Sequence, residues 1–108
     1  MLAKKDRLTV TDLEALSRGI SVFSTLISLR YCEAPSLKFA VSVSKKVAPS
    51  AVLRNRIRRR TYSIVQKLMP QIQKKAFIML MPKKEFAGKP IAELEVEMKG
   101  IFSKAHLL

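Results

Sequence analysis

Three features of this 108-residue chain predict an α+β fold: two layers, with one mixed four-stranded sheet and three helices. Two stretches alternate or concentrate β-formers with the period of a strand. Two others repeat apolar residues at helical spacing. A continuous apolar run at residues 76–81, within a strand read over residues 75–81, fits a central strand covered on both faces. The predicted order is αβββαβα, folded as one domain over residues 1–108, with residues 1–8 as a basic, loosely ordered arm.

The first helix is predicted from Thr11-Asp12-Leu13-Glu14, a capping box in which Thr11 caps and Glu14 reaches back. It runs to Arg18 and stops at Gly19. Residues 21–32, rich in Val, Phe, Thr, Ile and Tyr, read as a strand long enough to bend and count as two. Read as continuous, it places Phe23, Thr25, Ile27, Leu29 and Tyr31 on one side, with Phe23 and Tyr31 in the core. Ser24, Leu26, Ser28 and Arg30 take the other. After a turn at residues 33–36, residues 38–46 form the next strand. Phe39, Val41 and Val43 make its apolar face, opposite Ala40, Ser42, Ser44 and Lys46.

A long helix follows, with Pro49 and Ser50 near its start and Pro70 at its end. At 100° per residue, Ile57, Thr61, Ile64, Val65 and Leu68 form its buried stripe. Arg56, Arg59, Arg60 and Lys67 lie opposite, and Arg54 and Arg58 edge the stripe. The apolar strand and a basic loop at residues 82–88 come next. The last helix starts at Pro90 and has an apolar face of Ile91, Leu94, Met98, Ile101, Phe102 and Ala105. Its glutamates lie early and its lysines late, which complements the helix dipole.

Charge narrows the function classes. Lys and Arg number 21 against 8 Asp and Glu, a formal net charge of +13. Solubility asks for only about 2–8 charges on a small domain. The excess points to a polyanionic partner, nucleic acid before membrane or acidic protein. No acidic residue occurs between Glu33 and Glu85, a stretch with 13 Lys and Arg. Cys32 and His106 are the only residues of their kinds, so no disulfide framework or histidine metal site is expected. No apolar run is long enough to span a bilayer, and no signal-type segment follows Lys4, Lys5 and Arg7. A cytoplasmic location is the expectation.

The distinctive segment is Lys38-Phe39-Ala40-Val41-Ser42-Val43-Ser44-Lys45-Lys46, followed by Arg54-Asn55-Arg56-Ile57-Arg58-Arg59. Arg60 extends the run to five arginines in seven residues, with no acidic partner one turn away. Arginine forks match phosphate oxygens, Lys45 and Lys46 supply point charges, and Asn55 both donates and accepts. The paired motifs closely resemble the signature of the bacterial ribonuclease P protein family, over roughly residues 5–104.

That resemblance implies a left-handed βαβ crossover through the arginine helix, which periodicity alone never shows. It implies a subunit of an endoribonuclease that removes the 5′ leader of precursor tRNA, with the catalytic RNA and precursor tRNA as partners. Hydrolysis would rest on Mg²⁺ bound mainly by the RNA, with no catalytic residue or metal ligand in this chain. The RNA-binding set becomes Lys45, Lys46, Arg54, Asn55, Arg56, Arg58, Arg59 and Arg60. The leader-binding set becomes Leu13, Leu16, Arg30, Ser42 and Lys83. The family usually places phenylalanines on the first helix and a tyrosine at the end of the first strand. Here Leu13, Leu16 and Arg30 stand at those positions, and leucines stack on bases less well than aromatic rings.

Two other classes are compatible with part of the pattern. A structural RNA-binding protein of ribosomal type fits size and charge equally, and the paired motifs argue against it. A stand-alone metal-dependent nuclease needs clustered carboxylates or histidines, which the central segment lacks.

Overall fold

The computed structural model describes Arg7, Leu8, Asp12, Glu14 and residues 16–108. Four strands, β1 (Ile20–Phe23), β2 (Ile27–Glu33), β3 (Lys38–Val41) and β4 (Ala76–Pro82), form one sheet in the order β1-β2-β4-β3. The pairs β1/β2 and β2/β4 are antiparallel, and β3/β4 is parallel, so the sheet is mixed as expected. The parallel pair requires a crossover, supplied by helix α1 (Ala51–Leu68). Helix α2 (Ile91–Lys104) closes the chain. Asp12, Glu14 and Leu16 are helical where the first helix was expected, while Thr11 and Leu13 of its capping box lie outside the described residues.

Both helices pack on the sheet face that carries Ile27, Leu29, Phe39, Ile78 and Leu80, all fully buried. The buried residues of α1 are Ile57, Thr61, Ile64, Val65 and Leu68, the stripe that helical spacing predicts. Thr61 is tolerated there because its hydroxyl donates to the Ile57 carbonyl at 2.7 Å. From α2 come Leu94, Met98, Ile101 and Phe102, and the Phe102 ring stands 6.4 Å from that of Phe39. Ile91, expected on this face, is 47 % exposed at the first position of α2.

Helix ends follow local chemistry. The Ser50 hydroxyl accepts from the Leu53 amide and starts α1. Pro70 falls in a 3-10 turn (Met69–Gln71) that ends it. A second 3-10 turn, Lys84–Gly88, buries Phe86 beneath α1.

Two strands end earlier than their patterns suggest. The run at residues 21–32 breaks into a hairpin at Ser24. The Ser24 amide and hydroxyl both donate to the Ile27 carbonyl, and the Ser24 hydroxyl accepts from the Ile27 amide. A serine side chain thus closes a turn that has no Gly, Pro or Asn. The reversal flips the phase: Phe23 pairs with Ser28 and Val22 with Leu29. Phe23 therefore shares a face with Ser28 and is 62 % exposed, not core. Tyr31 stays on the Ile27–Leu29 face, half-buried against the core. Likewise β3 ends at Val41, and residues 45–47 turn, because the Ser44 carbonyl accepts from the Val47 and Ala48 amides. Lys45 and Lys46 project from that turn, not from a strand end.

His106 takes φ +61°, the one positive φ recorded among the described non-glycine residues. Its amide donates to Ser103 and that of Leu107 to Phe102, a Schellman closure of α2 with Leu107 buried. An L side chain is disfavoured at that φ. His106→Gly should raise stability by about 0.5–1 kcal/mol, measurable as a higher denaturant midpoint at unchanged slope.

Candidate nucleic-acid interface

Helix α1 is anchored on one side, so its arginines divide by what they reach. Arg54 turns back on the entry loop, donating to the Ala48 and Pro49 carbonyls at 2.9 Å each. Arg60 reaches across to the loop before α2, donating to the Ala87 and Lys89 carbonyls at 3.0 Å each. Arg54 bonds its two carbonyls through one terminal nitrogen, whereas Arg60 spreads both arms of its guanidinium fork over two backbone oxygens. These two act first as braces. Arg60, read from periodicity as fully outward, is half-buried because the 3-10 turn at residues 84–88 comes up beside the helix.

Arg56 and Arg59 are exposed, and among the described residues neither has a hydrogen-bond or ion-pair partner. Arg58 donates to Asn55 Oδ1 at 2.8 Å, which orients both side chains. Lys45 and Lys46 stand exposed in the turn that leads into the helix. Two ion pairs are recorded among the described residues, Lys38–Asp12 at 3.5 Å and Lys67–Glu95 at 2.8 Å. Neither touches the segment from Lys45 to Arg60. From Lys45 to Arg60, the turn and the outer side of α1 thus present a cationic surface that no described carboxylate neutralises, suited to a row of phosphates.

The sheet's other face is the second feature. Cross-strand pairing puts Phe23, Ser28, Arg30, Met79, Met81, Lys38 and Ala40 on it. Leu16, Ser17, Arg30, Met79 and Met81 line a cavity of about 290 Å³ there. Arg30 is held by a bond from its Nε to the Ser21 hydroxyl at 3.1 Å. Of the five expected leader-binding residues, Leu16 and Arg30 meet at this cavity. Leu16 is both packed, at 3 % exposure, and part of its wall. Ser42 is exposed just past β3, where its amide still bonds to the Leu80 carbonyl. Lys83 is drawn elsewhere: its ammonium donates to the Ser24 carbonyl and its amide to that of Leu26, pinning the hairpin. Leu13 lies outside the described residues.

Met79 and Met81 are not apparent from the sequence, since a continuous apolar run gives no sign of which residues face a cavity. The half-burial of those two methionines, between fully buried Ile78 and Leu80, marks the difference. Phe23 is equally hidden there, because only the hairpin turns it outward.

Fold and surface together define a small basic α+β domain that presents an arginine-bearing crossover helix. The sequence model of the family described as Ribonuclease P matches residues 2–106. A ribonuclease P protein component of Lactiplantibacillus plantarum is 32 % identical over 74 residues, 68 % of this chain and 64 % of that protein. One from Microcystis aeruginosa is 45 % identical over 51 residues, 44 % of this chain and 42 % of that protein. The matched stretches thus span less than two thirds of these curated relatives. Among solved structures, a Staphylococcus aureus RNase P protein mutant with defective mRNA degradation activity superposes with a TM-score of 0.86. It is 20 % identical, with 97 % of this chain and 92 % of that one covered. The RNase P protein from Thermotoga maritima gives 0.80 at 16 % identity, covering 91 % and 96 %. This chain belongs to the bacterial ribonuclease P protein family.

The division of labour among the arginines is testable by denaturation. Arg60→Ala should lower stability by about 1–3 kcal/mol, since it strips two carbonyls of a charged donor. Arg60→Lys should recover only part, because an ammonium cannot span both oxygens as the fork does. Arg56→Ala should stay within about 0.5 kcal/mol of the parent.

Proposed function

We propose that this chain is the protein subunit of ribonuclease P, docking on the catalytic RNA and assisting removal of the 5′ leader from precursor tRNA. The observation that carries this reading is the pair of exposed guanidiniums, Arg56 and Arg59, beside Lys45 and Lys46, none of which meets a carboxylate among the described residues. In this reading α1 neutralises phosphates of the folded RNA, while Arg54 and Arg60 hold the loops on either side of it. Asn55 and Arg58 add directional hydrogen bonds at the same surface.

The open sheet face is the proposed seat of the single-stranded leader. Arg30 offers a guanidinium plane for stacking and a charge for a phosphate. Met79 and Met81 offer an adaptable apolar floor, and Ser42 a hydroxyl at the rim. Phe23 supplies an exposed ring at the β1 side of the same face, and Leu16 an aliphatic wall.

Mg²⁺ belongs, in this reading, to the RNA. No group of three His, Cys, Asp or Glu side chains able to hold a metal ion occurs among the described residues. In this reading the chain's part is to bind and orient its RNA partners. No described helix is long and apolar enough to cross a membrane. The place of work proposed is the cytoplasm.

Reconstitution tests the proposal. Added to ribonuclease P RNA, the chain should restore precursor tRNA cleavage at a Mg²⁺ concentration too low for the RNA alone. The double variant Arg56→Ala, Arg59→Ala should bind that RNA at least roughly tenfold more weakly at physiological salt. Its slope of log K against log salt should shrink by about two, one for each phosphate that is no longer neutralised. Equal affinity and equal slope for parent and variant would refute the docking surface.

A further inference from the structure

The outer side of α1 carries a feature that phosphate binding does not require. Val52, Asn55, Arg58, Arg59 and Tyr62 line a depression of about 490 Å³. Val52, Asn55, Arg59 and Tyr62 are three, four and three residues apart, so they run along one stripe of the helix. Val52 is 68 % exposed. A β-branched residue in that place brings neither helix propensity nor core packing. Tyr62 is half-buried, packed in part against the core. Its ring is thereby held in place while part of it remains open to the depression.

The polar rim is ordered too. Arginine only donates, so the bond from Arg58 fixes Asn55 Oδ1 as the acceptor and leaves the Asn55 amide nitrogen free to donate. Arg59 stands exposed beside it. An apolar floor with one ordered amide and two guanidiniums at its edge has the chemistry of a base flanked by its phosphates. A bare run of phosphates would find no use for Val52 or Tyr62. A protein partner would have to supply carboxylates to both guanidiniums.

We propose that this depression receives one unstacked nucleobase of the bound RNA. The base lies against the Tyr62 ring and the Val52 methyls, the Asn55 amide donates to its edge, and Arg58 and Arg59 hold the adjoining phosphates. The proposal rests on α1 being the RNA-docking helix and adds what that helix reads there: an extruded base, not only backbone charge. Tyr62 then contributes affinity that is insensitive to salt, whereas Arg56 and Arg59 set the salt dependence.

The test uses the full chain and two RNA duplexes, identical except that one carries a single unpaired 2-aminopurine. The bulged duplex should bind roughly tenfold more tightly, within the range of one base stacked on an aromatic ring. Its fluorescence should be quenched on binding. Tyr62→Leu, which keeps an apolar group against the core, should abolish the preference and the quenching but leave the salt slope intact. Tyr62→Phe should keep both. Val52→Ser, at an exposed position, should weaken the preference without altering the thermal midpoint. Equal binding of the two duplexes by the parent chain, or a preference that survives Tyr62→Leu, would overturn the base site while leaving the phosphate-binding helix standing. Salt-independent or absent binding to both duplexes would instead overturn the docking helix, and the base site with it.

Discussion

The packing of one side of α1 against the sheet decides what the rest of the surface presents. Five side chains, Ile57, Thr61, Ile64, Val65 and Leu68, are buried on that side. Each apolar one contributes about 1.5–3 kcal/mol on burial. Five arginines in seven residues repel one another, at a few tenths of a kcal/mol for each close pair. The buried stripe outweighs that repulsion and holds the cations in a fixed array. Because the helix is the crossover between parallel neighbours β3 and β4, its rotation about its own axis is fixed at both ends by the sheet. Arg54 then locks the loop that enters α1 and Arg60 the loop before α2, using charge to satisfy backbone carbonyls. The arginine run is thus two braces, one hydrogen-bonded edge and two exposed cations without a partner among the described residues.

The same division governs the sheet. Its inner face is committed to both helices and its outer face is only partly covered. Leu16 packs on that outer face, and Lys38 reaches Asp12 at 3.5 Å while standing 5.9 Å from the centre of the Phe77 ring. At the β3 edge, Arg7 forms a parallel bridge with Phe39, and the Leu8 amide bonds to the Phe39 carbonyl. Two residues of the stretch read as a loose basic arm thus blunt a strand edge that would otherwise stand open. What remains is a shallow cavity walled by Leu16, Arg30 and two methionines, on the side of the sheet away from α1's anchoring stripe.

Much of this was legible from residue order, for identifiable reasons. The α1 stripe follows from a helical period that every buried residue obeys, and the central place of β4 follows from an apolar run with no polar face. The paired motifs name the family because two rare clusters stand at a fixed separation. Other features are tertiary. Phe23 faces outward only because a serine hydroxyl closes a hairpin that lacks the usual turn residues. Arg60 looks outward on a helical wheel, yet a loop 27 residues further along lies within its reach. Lys83, read as a leader-binding cation, also meets the hairpin carbonyl at Ser24, a contact that residue order does not show. Each miss involves a long side chain or a turn whose partner is set by packing.

The proposed function turns on the outer side of α1 docking on RNA, with α2 as the comparison. Tethered hydroxyl-radical probing tests it most directly. A single cysteine at an exposed position of α1 (Ser63→Cys, with Cys32→Ser) or of α2 (Val96→Cys, with Cys32→Ser) carries an iron chelate into the complex with ribonuclease P RNA. Strong, localised strand scission is expected from α1 and little from α2. Equal scission from both positions, or scission from α2 alone, would contradict that docking.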